Sequence, residues 1–577
     1  MNMSSFRPRL ALLAVTLLSA CAASNAAPGA LGRGDPSGDD PSGVYGDYLV
    51  GQFAASQGAA DVAATKLLAA LADDPSNGVL LRQAFIANLV AGRPEAVRLA
   101  VKLPDNAAAQ LLLADESARH GEWESAKQRY LSLPNHGISA VLQPLLLAWS
   151  DMGAGHVDAA LDILRPLTSN PRIGGIYALH AALIADLAGR DADAGRFYDM
   201  AQKTFAAPNL RFAQILASWQ ARHGEMEEAR RTLDTLREGD SVLSMAVPAL
   251  EAEIATRPVA SAVDGIAETY LALAASLRQQ EADDFSLIIL RLALDLRPQM
   301  TAARLMMSNM LEDNGQLDNA LQILANVPAN APLAGLIDLR RATIEDQLGH
   351  TSTAVALLEN LAKQFPDRPE PLAQLGDIYR GKSEFNKAIT AYDGALARVQ
   401  DVTARDWVLF YARGICYDRA HQWPKAQADF EHALQLSPDQ PYVLNYLGYS
   451  WAEQGTHLAE ARKLIEKAVA LKPNDGAIID SLGWVLLRQG DPSGAVHWLE
   501  RAVEMEPEDP TINGHFGDAL WAAGRKLEAT YQWRLALALK PEPDEAVKLE
   551  AKLKQAGVST AGLAGDPTSG TNGAAPH

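Results

Sequence analysis

Residues 476–509, GAIIDSLGWVLLRQGDPSGAVHWLERAVEMEPED, contain the pattern that decides the fold. Counting from Gly476, the eighth residue is Gly483, the fifteenth Gly490 and the twentieth Ala495, and Pro507 follows near the end. A glycine just past a helix end suits a left-handed C-terminal cap, where other residues meet a steric penalty. A proline discourages a helix from continuing, because it lacks the N–H and its ring clashes with the preceding turn. The stretch therefore reads as two helices joined by a tight turn, with small residues where the two approach.

The same pattern recurs along the chain, in frames starting at 44, 78, 107, 141, 175, 210, 267, 301, 335, 369, 407, 441, 476 and 510. Most neighbouring starts are 34 or 35 residues apart, the helix–turn–helix period of a tetratricopeptide array. The fifteenth position is glycine in eleven of the fourteen frames, which makes the turn a property of the repeat rather than of one segment. The eighth is glycine at Gly51, Gly376, Gly414, Gly448, Gly483 and Gly517, and is small elsewhere except at Phe85. The twentieth is usually alanine, from Ala63 to Ala529, and bulky neighbours such as Tyr379, Tyr417, Phe430 and Trp533 are expected to fill the adjoining space. The fold expected is all-α, a tetratricopeptide-repeat superhelical solenoid of about fourteen helix pairs.

The expected organisation is a signal over 1–20, Cys21 with a flexible linker to 43, a degenerate array over 44–243 and a more regular one over 267–543. Between them, 244–266 reads either as a hinge or as a degenerate repeat. A capping helix over 544–556 and a disordered tail over 557–577 complete the chain. The linker is rich in Gly, Pro, Asp and Ser and contains DPSG twice, the composition of an unstructured tether.

Arg7 and Arg9 precede a short apolar run from Leu10 to Ala23, which is too brief to span a bilayer and reads as an export signal. Leu18-Ser19-Ala20-Cys21 resembles the bacterial lipobox, whose cysteine becomes the lipidated first residue after cleavage. Several acyl chains on one cysteine hold a protein firmly to a bilayer. The expected location is the periplasmic face of the outer membrane, because Ala22 replaces the aspartate that favours inner-membrane retention in such lipoproteins.

A formal charge of −19 with no basic stripe argues against a nucleic-acid partner. With Cys21 expected to carry lipid, Cys416 has no partner for an intrachain disulfide and reads as a helix-core residue. No HExxH, GxSxG or Walker-type glycine loop occurs, and the twelve histidines form no metal-ligand spacing. Gly153-Ala-Gly155 reads as a helix cap, and pairs such as Glu228/Arg231 as ordinary surface ion pairs. The expectation is a non-enzymatic protein with no cofactor and no metal.

WVLFYARGICYDRA, YVLNYLGYSWAEQGTHLAEA, DGAIIDSLGWVLLRQG and INGHFGDALWAAGRKLEA run consecutively in the C-terminal third. This series resembles a family of Gram-negative tetratricopeptide lipoproteins. It is similar to the outer-membrane lipoprotein adaptor of a periplasmic carboxyl-terminal processing protease, which degrades peptidoglycan hydrolases. The resemblance implies protein partners of that kind, gathered on the concave groove of a membrane-tethered scaffold. A structural subunit of a polysaccharide or pilus machine is the alternative.

In tetratricopeptide arrays the groove is lined by the second, fifth, ninth, twelfth and thirteenth residues of each first helix. Here these supply Tyr411, Asp418, Arg419, Tyr442, Asn445, Tyr449, Asp480, Trp484, Arg488, Asp518 and Trp521 as groove candidates. Aromatic and arginine side chains beside Asn and Asp are the chemistry of peptide-binding hot spots. Trp498 and Trp533, on second helices, are expected in the core.

Overall fold

A computed structural model of the chain describes residues 43–205, 209–239, 241–278, 283–325 and 327–557. The signal, Cys21, most of the linker and the tail lie outside the described residues. Two compact units divide between Gln364 and Phe365. Each is built of antiparallel helix pairs, fourteen in all among the described residues, and each expected frame holds one pair.

The repeat quoted first explains how such a pair forms. Its first helix, Gly476–Arg488, is capped by Asp475, whose carboxylate accepts the Ile478 N–H at 3.2 Å. Gly490 then adopts φ 85°, the left-handed turn. The second helix, Pro492–Met505, starts with a proline whose absent N–H costs nothing at that position, and Asp491 accepts the Gly494 N–H at 2.9 Å. Gly483 faces Leu499 closely enough that an added Cβ would overlap it. Ala495 is fully buried opposite.

The small positions carry the packing throughout. A Cβ on Gly414 would lie 2.7 Å from Phe430, and one on Gly448 2.8 Å from Ile465. Gly376 packs on Tyr392 rather than on Tyr379, whose ring instead lies under Lys387 at 5.3 Å. Phe85, the exception at the eighth position, is fully buried against a second helix of only six residues, Glu95–Ala100, which leaves space for its ring.

The turn geometry is retained where glycine is missing. Ser383 and His421 occupy the fifteenth position at φ 61° and 59°. An L-residue there carries a steric cost of about 1–2 kcal/mol that glycine escapes. The exposed His421, replaced by glycine, should stabilise the C-terminal unit by about 1 kcal/mol, less whatever backbone entropy glycine regains when unfolded. A urea midpoint that fails to rise in His421→Gly contradicts this.

In the N-terminal unit the array meets itself. The helices Ala262–Arg278 and Asp283–Leu296 pack against the first helices of earlier repeats, Gly78–Ala91, Ala107–Arg119, Ile138–Gly153 and Gly174–Leu187. The Tyr270 hydroxyl donates to Asp115 at 2.8 Å across 155 residues of sequence, and Tyr130 donates to the same carboxylate at 2.6 Å. Gly265 lies against the Trp149 ring, and Asn319 donates to the Gly58 carbonyl of the first repeat. The inner face of this unit is thus occupied by its own later repeats.

The compact units divide at a different place from the expected change in repeat regularity. Residues 244–266 lie inside the first compact unit, and the units part 98 residues further on, after Gln364. The segment forms short helices over Ser241–Ser244 and Val247–Ala252 and is then pinned in place. Arg257 donates to Asp186 at 3.1 Å, and the Pro258 carbonyl accepts from Arg211 and Arg297. The following helix starts at Ala262, five residues before the expected frame. At the other end, the capping helix spans Pro543–Gln555 and buries Leu549 and Leu553.

Candidate functional site

In the C-terminal unit, successive first helices touch one another. Glu370–Gly381 meets Trp407–Arg419, Pro441–Gln454 meets Gly476–Arg488, and the latter meets Pro510–Ala522. They form a face on which the groove candidates fall into three patches.

Tyr411 and Asp418 belong to the first. The Tyr446 hydroxyl donates to Asp418 at 3.0 Å, and its ring stands edge-on to Tyr411 with centroids 6.2 Å apart. Burial pushes the Tyr411 phenol up to about 12, so it stays a neutral donor. Arg419 is exposed, and its charge favours the Tyr446 phenolate against burial and Asp418.

The second patch combines Asn445, Tyr449, Asp480, Trp484 and Arg488. Asp480 is buried and accepts from His515 Nδ1 at 2.9 Å. Trp484 stacks on that imidazole, with centroids 4.2 Å apart and planes 21° apart. Burial opposes charging His515, but Asp480 outweighs it and holds the imidazole above its ordinary pKa. Tyr449 is pushed well above the usual phenol range by burial and by the carboxylates of Glu453, Asp480 and Glu545. The Arg488 guanidinium lies 5.9 Å from the Trp484 ring. Asn445 Oδ1 and Trp484 Nε1, both buried atoms, have no hydrogen-bond partner among the described residues.

Asp518 and Trp521 make the third patch. Asp518 accepts from Trp533 Nε1 at 2.9 Å and from Lys552 of the capping helix at 2.7 Å. Trp521 lies 5.3 Å from Trp533 and carries Lys526 over its ring at 5.2 Å. Tyr442 stands apart, its hydroxyl and ring engaged by Lys472. Trp533 is core, as expected, whereas Trp498 is only half-buried beneath Arg501.

Tyr446 and His515 escaped the sequence reading. Both occupy the sixth position of a first helix and reach back to a carboxylate of the preceding repeat. A polar aromatic side chain at position six was the available signal. Glu545 was also missed, because it comes from the capping helix.

Cys416 is buried, and burial pushes its thiol up to about 11, so it stays protonated and unreactive at neutral pH. Among the described residues no group of three His, Cys, Asp or Glu side chains is arranged to hold a metal ion. No described helix is long and apolar enough to cross a membrane.

The packing just described is that of a tetratricopeptide-repeat solenoid. The tetratricopeptide repeat-like domain family matches residues 262–410 and a tetratricopeptide repeat family matches 395–541. A TPR repeat-containing protein of Pseudomonas aeruginosa is 28% identical over 219 residues, which is 38% of this chain and 36% of that protein. Bacteriophage adsorption protein A of Escherichia coli is 30% identical over 95 residues, 16% of this chain and 10% of that one. The chain thus spans about a third or less of these relatives. Among solved structures, the Cut9–Hcn1 complex aligns over 88% of this chain and 95% of its own at 15% identity and a TM-score of 0.38. Yeast Tom70 aligns over 78% and 95% at 14% identity and a TM-score of 0.33.

Proposed function

We propose that this chain is a lipid-anchored scaffold, tethered through Cys21 on the periplasmic face of the outer membrane, that binds envelope proteins on its C-terminal first-helix face. The observation that carries this reading is the contrast between the units. The inner face of the N-terminal unit is filled by its own helix Ala262–Arg278, while the C-terminal unit presents half-buried Tyr and Trp rings beside Arg and Asp. Rigid aromatic area with a few directional polar groups is what protein-binding hot spots use. Binding two proteins on one tethered scaffold raises their effective concentration without any catalytic residue on the scaffold. The family resemblance in the C-terminal third suggests a carboxyl-terminal processing protease and peptidoglycan hydrolases as those proteins.

In-cell cross-linking through a C-terminal tag, followed by mass spectrometry, tests the reading. A processing protease should be recovered with the unaltered chain. The variants Trp521→Ala and Arg419→Glu, the second at an exposed position that leaves packing untouched, should weaken its binding about thirtyfold or less, according to how central each residue is. Partner recovery unchanged in both variants removes this face from the interaction. In the same cells Cys21→Ala should move the protein into the soluble periplasmic fraction, and full retention in the outer membrane refutes the lipid tether.

A further inference from the structure

The irregular segment after Ala252 shapes a cavity of about 180 Å³ inside the N-terminal unit. At about 30 Å³ per water molecule, that space holds roughly six solvent molecules. Its wall includes three guanidiniums, Arg211, Arg257 and Arg297, with Gln214, Ser218 and Thr301, and Glu253 is its one carboxylate. The acids that pair with these arginines lie outside the wall. Glu268 accepts Arg211 in a bidentate pair at 2.7–3.0 Å, Asp186 takes Arg257 at 3.1 Å, and Asp264 stands 3.4 Å from Arg297. Asp186 is shared, because Arg222 also donates to it at 2.6 and 2.9 Å.

Of the charged groups on the wall itself three are guanidiniums and one is a carboxylate, and each guanidinium is paired with an acid set behind the wall. The Arg257 Nε–H is buried without an acceptor among the described residues. The helix Thr301–Asp313 opens onto the cavity with no side-chain cap, and its first two N–H groups, of Thr301 and Ala302, add a second kind of anion donor. Burial lowers the Arg297 pKa, and the nearby Asp264 carboxylate opposes this only in part.

We infer that this cavity is a binding site for a tetrahedral oxyanion, a phosphate ion or the phosphate of a small phosphomonoester. Guanidinium forks on helix Leu210–Arg222, on the segment after Ala252 and after helix Asp283–Leu296 approach from different elements, with the N-terminus of Thr301–Asp313 as a fourth side. Donors from several directions suit a tetrahedral group better than a planar carboxylate. The bound group ties together the elements that hold residues 253–258 in place.

Isothermal titration of the full chain with inorganic phosphate, glycerol 3-phosphate and succinate tests this. Either phosphate should bind at one site per chain and raise the melting temperature with concentration. Binding of the ester alone identifies the source as an esterified phosphate, and binding of both identifies the free ion as sufficient. Arg257→Gln should weaken binding about tenfold or more, since it removes a charge-assisted donor. Gln214→Glu, nearly isosteric and beside Arg211, should do the same while leaving the fold intact. The inference is overturned by absence of heat and thermal shift with both phosphates, by tighter binding of succinate, or by unchanged affinity in both variants.

Discussion

Alanine at position 265 destabilises the N-terminal unit by about 3 kcal/mol, although alanine exceeds glycine by about 1 kcal/mol in an unconstrained helix. Gly265 sits in the first turns of Ala262–Arg278, at the place where that helix crosses Trp149. A Cβ there would overlap the indole. The ring cannot yield, because Trp149 is fully buried and its Nε1 donates to His180 Nδ1 at 3.0 Å. His180 is held as a neutral acceptor, since burial lowers its pKa to about 4. The helix must therefore shift outward, taking Tyr270 from Asp115. Urea denaturation of Gly265→Ala reads the loss, and limited proteolysis within 262–296 should become faster. An unchanged midpoint means that this helix is not seated on the earlier repeats.

The second large effect depends on pH. Asp115 is buried between Tyr130 and Tyr270, and burial raises its pKa from 3.8 to about 7 despite hydrogen bonds from both phenols. A carboxyl group whose folded pKa is raised stabilises fully below the unfolded value, and the contribution is lost as pH rises through about 7. Three pH units correspond to about 4 kcal/mol. Asp115→Asn removes the titrating group while keeping a carbonyl acceptor for the tyrosines. It should be more stable than the unaltered protein at pH 8 by a few kcal/mol, and this advantage should disappear near pH 4. His180 pulls the other way below pH 6.5, but it is common to both proteins and cancels in the difference. A gap of constant size from pH 4 to 8 would show that Asp115 does not titrate in this range.

How much was legible follows from the range of each interaction. The glycine pattern at position fifteen describes a local turn, and every such glycine among the described residues has positive φ, as do Ser383 and His421, which stand in for it. The groove candidates were read from positions within one helix and occupy a common run of first helices. Their partners were not legible. The Tyr446–Asp418 and His515–Asp480 bonds join residues 28 and 35 apart, and each depends on how far one repeat is rotated on the next. That rotation is set by the summed packing of whole helices.

The sequence alone determined the all-α class, the repeat length, the number of helix pairs and the small residues on which each pair closes. These depend on contacts inside one repeat, where a missing Cβ or a proline ring acts directly on its neighbours. Only the tertiary structure decided that the seventh pair fills the inner face of the earlier ones. It also decided that the compact units divide after Gln364 and that three arginines meet around one cavity. Residues such as Asp115 and Tyr270 leave no shared local signature. They meet because small rotations between repeats accumulate until the array returns to its own start.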